Sequence, residues 1–247
     1  MKHKYKPISQ QGIYLLPSIF TTAGLFAGFF AIIAAFNGKY ETAVIAIFFA
    51  MIMDALDGRI ARLTKTQTNF GAEYDSLADV ISFGLAPALI AFVWSLQYLG
   101  NIGWTGAFLY AATAALRLAR FNTQLSNADK KYFQGLPSPA AAGVIVGLVG
   151  TMTKLDVPGE DVAWVSLFVT ILVSILMVSR IRYSSFKVVN LKGKVPFIFI
   201  AVLALIIAVI LTEPEILLFS IFLIYAISGP ILNLYQIKET RKKPKQF

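Results

Sequence analysis

Cysteine is absent from these 247 residues, which removes disulfides, thiolate metal ligands and cysteine nucleophiles together. Charge is scarce as well: only 14% of the chain is Asp, Glu, Lys or Arg, against 57% hydrophobic. The apolar residues fall in long runs rather than narrow amphipathic stripes, which argues against a soluble core. A helix needs about 20 mostly apolar residues to cross a hydrocarbon layer, and several windows here meet that length. The single histidine, His3, sits in a basic arm and is assigned no role.

Apolar windows read against Pro, Gly and charged punctuation give eight expected spans, at about residues 13–36, 41–57, 74–96, 103–122, 138–153, 161–179, 195–211 and 215–235. Because lipid offers no partner for free backbone groups, runs of this length suit helices better than barrel strands. The expected fold class is therefore all-α, a polytopic transmembrane helical bundle of about eight spans, in one domain over residues 1–247. The first apolar run lacks a small-residue cleavage site, so it is expected to stay in the membrane as a span.

The net charge of +9 is distributed by side. Of the 22 Lys and Arg residues, all but Lys39 and Lys154 fall on the N-terminal arm, the even-numbered connections or the C-terminal tail. The odd-numbered connections collect Glu41, Asp156, Glu160, Asp161, Glu213 and Glu215 instead. The positive-inside rule then puts both termini in the cytoplasm. The basic tail reads as attraction to anionic lipid, and no nucleic-acid partner is expected, since no recognition fold precedes it.

The second span ends at Asp54 and Asp57, and the third opens with Asp75 and Asp79, both on the cytoplasmic side. On a helix, residues three apart are turned by about 60° and residues four apart by about 40°, so each pair shares a face. A short antiparallel connection would bring all four carboxylates into one cleft at the membrane surface. Single carboxylates there can be helix caps, but four together make a costly group that calls for cations. Hard oxygen ligands point to Mg²⁺ or Mn²⁺, and two such ions suit displacement at phosphorus. Intramembrane carboxylates also mark ion pathways, which keeps a cation transporter as the rival reading, although transporters place such groups near the midplane on broken helices. Gly58, Ala61 and Gly71 leave little bulk beside the carboxylates, and Arg62 offers a planar fork for a phosphate or serves as a topology determinant.

The spacing D-x-x-D-G-x-x-A-R-x8-G-x3-D-x3-D, met at Asp54, Asp57, Gly58, Ala61, Arg62, Gly71, Asp75 and Asp79, resembles the signature of the CDP-alcohol phosphatidyltransferase family. The resemblance implies that Asp54, Asp57 and Asp75 are ligands of a two-metal centre holding the CDP pyrophosphate. It implies that Asp79 is the base for the incoming hydroxyl and also touches metal, and that Gly58, Ala61, Arg62 and Gly71 line the nucleotide site. It further implies a six-helix core over about 10–180, with about 195–235 as two added helices and 236–247 as a basic tail, and a homodimer in the inner membrane with its active site facing the cytoplasm.

Three further segments, Ser82 to Ala88, Arg117 to Asn122 and Gly135 to Ala142, together with the Leu16-Pro17-Ser18-Ile19-Phe20-Thr21 start of the first span, resemble the branch of that family whose acceptor is serine. The expected reaction is transfer of a phosphatidyl group from CDP-diacylglycerol to L-serine, with choline, glycerol 3-phosphate or inositol as alternative acceptors. Arg117 and Arg120 share a helix face and suit a carboxylate, or else serve as topology determinants. Ser138 lies at an expected helix start, where an anion could be received. Gly24-x-x-x-Gly28 and Gly143-x-x-x-Gly147 are expected to be helix contacts.

Overall fold

The structure is a computed structural model that describes residues 8–64, 66, 68–124, 132–184 and 212–242. Its helices are α1 (Ile8–Phe36), α2 (Tyr40–Thr64), α3 (Asn69–Asp79), α4 (Ala86–Trp94), α5 (Asn101–Gln124), α6 (Ser138–Lys154), α7 (Ala163–Val178) and α8 (Pro214–Lys242). A π-helical turn, Val80–Leu85, joins α3 to α4, and a 3₁₀ turn, Leu96–Leu99, precedes α5. Two three-residue strands, β1 (Tyr132–Gln134) and β2 (Arg182–Ser184), pair antiparallel with Phe133 opposite Tyr183. The expected span at 195–211 lies outside the described residues.

Among the described residues, three segments are long and apolar enough to cross a membrane: Ser18–Phe36, Asn69–Trp94 and Pro214–Asn233; Ala163–Val178 is a shorter apolar helix. The molecule is a helical membrane protein, and its surface says the same. Phe26, Phe29 and Phe30 of α1, Phe49 of α2, Phe108 of α5, Phe168 of α7 and Ile224 of α8 all point outward, where water would penalise them and lipid does not.

The pillar of the bundle is α6, whose residues from Ala140 to Thr151 are buried throughout. One side of it, with Ala142, Val146 and Val149, packs into a core built by α1, α2 and α4. The other side, with Ala141, Val144 and Ile145, joins a second core with α5, α7 and α8. Small residues make these approaches possible. A Cβ on Gly147 would lie 2.9 Å from the Phe219 Cα of α8, and one on Gly28 would lie 2.8 Å from the Ser82 Cα. The two small-x-x-x-small patterns of the sequence therefore bind α1 to the π-helical turn and α6 to α8.

Lipid supplies no hydrogen bonds, so each proline inside a helix leaves a carbonyl to be satisfied by other means. The structure answers twice in the same way. Pro87 has no N–H to offer the preceding turn, and the buried Tyr110 hydroxyl donates to the Phe83 carbonyl, four residues earlier, at 3.0 Å. Pro230 lies inside α8, and the buried Tyr183 hydroxyl donates to the Ala226 carbonyl, again four residues earlier, at 3.0 Å. Gly229 gives the Tyr183 ring its room, since a Cβ there would collide with it.

Tyr183→Phe should lower stability by about 1–3 kcal/mol, the range for a buried acceptor left unpaired. In a Pro230→Ala background the loss should shrink, because the restored backbone N–H bonds the same carbonyl. Denaturant unfolding in detergent measures both, and an equal loss in the two backgrounds would contradict the assignment.

Candidate active site at the corner of the second and third helices

The corner begins at Thr68, which caps α3: its hydroxyl accepts a hydrogen bond from the Gly71 amide at 2.9 Å. A Cβ on Gly71 would press on that hydroxyl at 3.0 Å, so this glycine keeps the cap closed. The turn folds α3 back beside α2, and the two aspartate pairs meet as their helical spacing dictates. One carboxylate oxygen from each of Asp54, Asp57 and Asp75 lies within 4.8 Å of the other two. Asp57 is 4% exposed, and its carboxyl lies within hydrogen-bonding reach of that of Asp75. Such contact is repulsive between bare anions, so a cation or a shared proton must lie between them.

These three line a cleft of about 190 Å³ that includes its open mouth, together with Asp79, Thr21 and Ser82. Asp79 is the last residue of α3, immediately before the π-helical turn, within electrostatic reach of the other three carboxylates. All four sequence-expected carboxylates therefore face one cleft. The donor set is all carboxylate oxygen and hydroxyl, which fits a hard divalent cation.

Two cleft residues escaped the sequence analysis. Thr21 of α1 is buried, and its hydroxyl donates to Asp57 Oδ2 at 2.8 Å, fixing that carboxylate from behind. Ser82 donates to the Gly24 carbonyl at 3.1 Å and ties the π-helical turn to α1. Both belong to segments noted for family likeness, but their partners lie 36 and 58 residues away, beyond any local pattern. Ser18, in the same opening segment, contributes its carbonyl to Thr22, whose hydroxyl also pairs with that of Tyr74 at 2.8 Å.

The remaining expected residues divide into two groups. Gly58 and Ala61 follow the aspartates on α2, and the nearest atoms to a Cβ on Gly58 are the Arg62 guanidinium nitrogens at 3.6 and 4.0 Å, so that face is open and basic. Arg62 is exposed and acts electrostatically on Asp57. On the α5 side, Arg117 is only 9% exposed; its Nη1 donates to Ser138 Oγ at 3.1 Å, and its Nε is buried with no hydrogen-bond partner. Arg120, expected to share its role, turns to β1 and the end of α7 instead: Nη2 donates to Gln134 Oε1 at 2.6 Å and Nη1 to the Val178 carbonyl at 3.4 Å. Ser138 begins α6 directly after Pro137, so Pro139 sits in the first turn. Gly135, at φ 75°, lets the chain pass against Met177 and reach that position.

A family model for CDP-alcohol phosphatidyltransferase matches residues 14–176. The chain is 38% identical over 215 residues to the CDP-diacylglycerol–serine O-phosphatidyltransferase of Helicobacter pylori, covering 87% of this chain and 90% of that one. It is 34% identical over 227 residues to the protein of that name from Mycobacterium tuberculosis, covering 89% and 79%. With its namesake from Methanocaldococcus jannaschii the identity is 35% over 185 residues, covering 75% and 81%.

Thr21→Val keeps the shape and removes the donor to Asp57. Affinity for Mn²⁺ should drop by roughly 10–100-fold, as for other residues that orient a ligating carboxylate. Titration followed by electron paramagnetic resonance reads this directly, and unchanged affinity would separate Thr21 from cation binding.

Proposed function

The chain belongs to the CDP-alcohol phosphatidyltransferase family, and from that premise we propose that it transfers the phosphatidyl group of CDP-diacylglycerol to L-serine, giving phosphatidylserine and CMP. The observation that carries this reading is the convergence of Asp54, Asp57 and Asp75, with Asp79 beside them in one cleft. The acceptor is supported by the activity for which the relatives are named, which match most of the chain.

Asp54, Asp57, Asp75 and Asp79 would hold two divalent cations, Mg²⁺ or Mn²⁺. When bound, these neutralise charge on the phosphate oxygens and stabilise the departing phosphate of CMP. The chain's own residues do the rest. Arg62 and the open surface at Gly58 and Ala61 take the nucleotide end, while Gly71 keeps the corner tight beside it. Asp79 accepts the proton of the serine hydroxyl. The freed oxygen bonds to the diacylglycerol-side phosphorus as the bond from that phosphorus to the CMP oxygen breaks, and CMP leaves with the electron pair. Arg117 and Ser138 hold the acceptor, and Arg120 fixes the β1 strand that leads to Ser138.

The membrane arrangement follows from the same reading. We place the site at the cytoplasmic face of the inner membrane, with eight spans, both termini inside and a homodimeric assembly. Charge sorting along the sequence supports the orientation. Exposed Trp104 and Trp164 lie at the starts of α5 and α7, the ends away from the carboxylates, where an interfacial aromatic belt sits on either side of a membrane. The acyl chains of the donor then stay in lipid while its headgroup reaches the cleft.

In purified protein with Mn²⁺, CMP release should require serine, and Asp79→Asn should reduce turnover by roughly 10²–10⁴-fold, the usual loss for a general base. Release that depends on choline, inositol or glycerol 3-phosphate instead would keep the cleft chemistry and discard the acceptor. Near-normal turnover in Asp79→Asn would discard the base.

A further inference from the structure

Two of the four cleft carboxylates ride on α3, yet little packing holds that helix. Of its 11 residues Ala78 alone is buried, while Phe70 and Leu77 point outward. Successive residues of a helix are turned by about 100°, so this outward face lies opposite Asp75. One buried alanine does little to stop a helix turning about its own axis. A turn of α3 carries Asp75 and Asp79 away from Asp54 and Asp57.

Hydrogen bonds on both sides of Asp75 oppose that turn. On one side the Tyr74 hydroxyl meets Thr22 Oγ1 of α1 at 2.8 Å. The Thr22 proton goes to the Ser18 carbonyl, so Tyr74 is the donor. On the other side Ser76 meets Asn122 of α5. The Ser76 proton goes to the Ala72 carbonyl at 3.0 Å, and its oxygen accepts from Asn122 Nδ2, also at 3.0 Å, with Asn122 Oδ1 3.3 Å away. Tyr74 and Ser76 lie about 100° to either side of Asp75 around the helix, so rotation of α3 in either sense drags both from their partners. Ser76 is short, and its bond therefore holds the helix itself rather than the end of a long side chain. The anchor on α1 is in register with the rest of the cleft, since the preceding residue, Thr21, holds Asp57.

We propose that Asn122 is a positioning residue of the cation centre: through Ser76, and with the Thr22–Tyr74 pair holding from α1, it fixes the rotation of α3 and thereby the separation of Asp75 from Asp54 and Asp57. This inference rests on the reading of these carboxylates as a cation centre and goes beyond it. Sequence likeness ties the segment from Arg117 to Asn122 to the serine acceptor; the Asn122 side chain serves the cation instead. A divalent ion takes its oxygens at set distances, so a ligand-bearing helix that is free to rotate loses affinity before it loses its fold.

The test is Mn²⁺ titration of the full-length protein in detergent, followed by electron paramagnetic resonance, with the serine KM measured at saturating Mn²⁺. Asn122→Ala should weaken Mn²⁺ binding roughly tenfold, the lower end of the loss when a group that orients a metal ligand is removed. Ser76→Ala should weaken it by the same factor, and the double variant by no more than either alone, because both remove one shared bond. The serine KM should stay within about twofold, since no contact to the acceptor is lost. Ser76→Ala deletes a single hydroxyl and keeps the test decisive where Asn122→Ala does not fold. Partial unfolding lowers the number of Mn²⁺ sites and not the affinity of each, so a purely structural role gives a different titration. The proposal is overturned if both single variants bind Mn²⁺ as the unmodified protein does, if the two losses multiply, or if Asn122→Ala raises the serine KM and leaves Mn²⁺ affinity unchanged. Absence of saturable Mn²⁺ binding in the unmodified protein overturns the cation centre itself, and the inference with it, before any variant is compared.

Discussion

Carboxylates crowd one another at the corner between α2 and α3, and the rest of the bundle is organised around keeping them there. At separations of no more than 4.8 Å, two bare charges repel by roughly 3 kcal/mol or more even at an effective dielectric of about 20. A fold that holds three such groups together, with a fourth beside them, must brace them from several sides. The bracing is visible: Thr21 from α1 grips Asp57, Thr68 and Gly71 close the turn, and Ser82 draws the π-helical turn against Gly24. The outcome is a preorganised set of carboxylate oxygens between the second half of α2 and the second half of α3. This is the site expected of an enzyme whose donor has its tails in lipid and its reactive phosphates in water.

The second constraint is the absence of solvent for the backbone. Two helix prolines, Pro87 and Pro230, are each answered by a tyrosine hydroxyl from another element. The first repair serves the site as well as stability, since Phe83 lines the cleft. Tyr110 secures the turn that follows Asp79, and Tyr183 secures the stretch of α8 around Pro230.

Much of this was legible in the sequence. Helical spacing within Asp54/Asp57 and Asp75/Asp79, and the short connection between them, were enough to foresee a shared cleft, because both rest on local geometry. The glycine patterns at Gly24/Gly28 and Gly143/Gly147 foretold close helix contacts, though not their partners. What the sequence concealed depends on contacts distant along the chain. Thr21 reads as one more residue of an apolar helix until α2 is laid beside it. Arg117 and Arg120 share a face by spacing alone, yet they sit where α5 leaves the core, so one turns into the bundle and the other onto β1. The third span also starts earlier than hydropathy suggested, at Asn69 rather than residue 74, because a polar first turn capped by Thr68 carries no apolar signal.

The central claim is that Asp54, Asp57 and Asp75 form a cation centre that receives the CDP pyrophosphate. The most direct measurement is anomalous diffraction at the manganese edge from crystals of the protein grown with Mn²⁺ and CDP-diacylglycerol. The account predicts anomalous peaks in contact with these carboxylates and with the donor's pyrophosphate oxygens. A donor bound elsewhere, or a cluster without anomalous signal at saturating Mn²⁺, would contradict it.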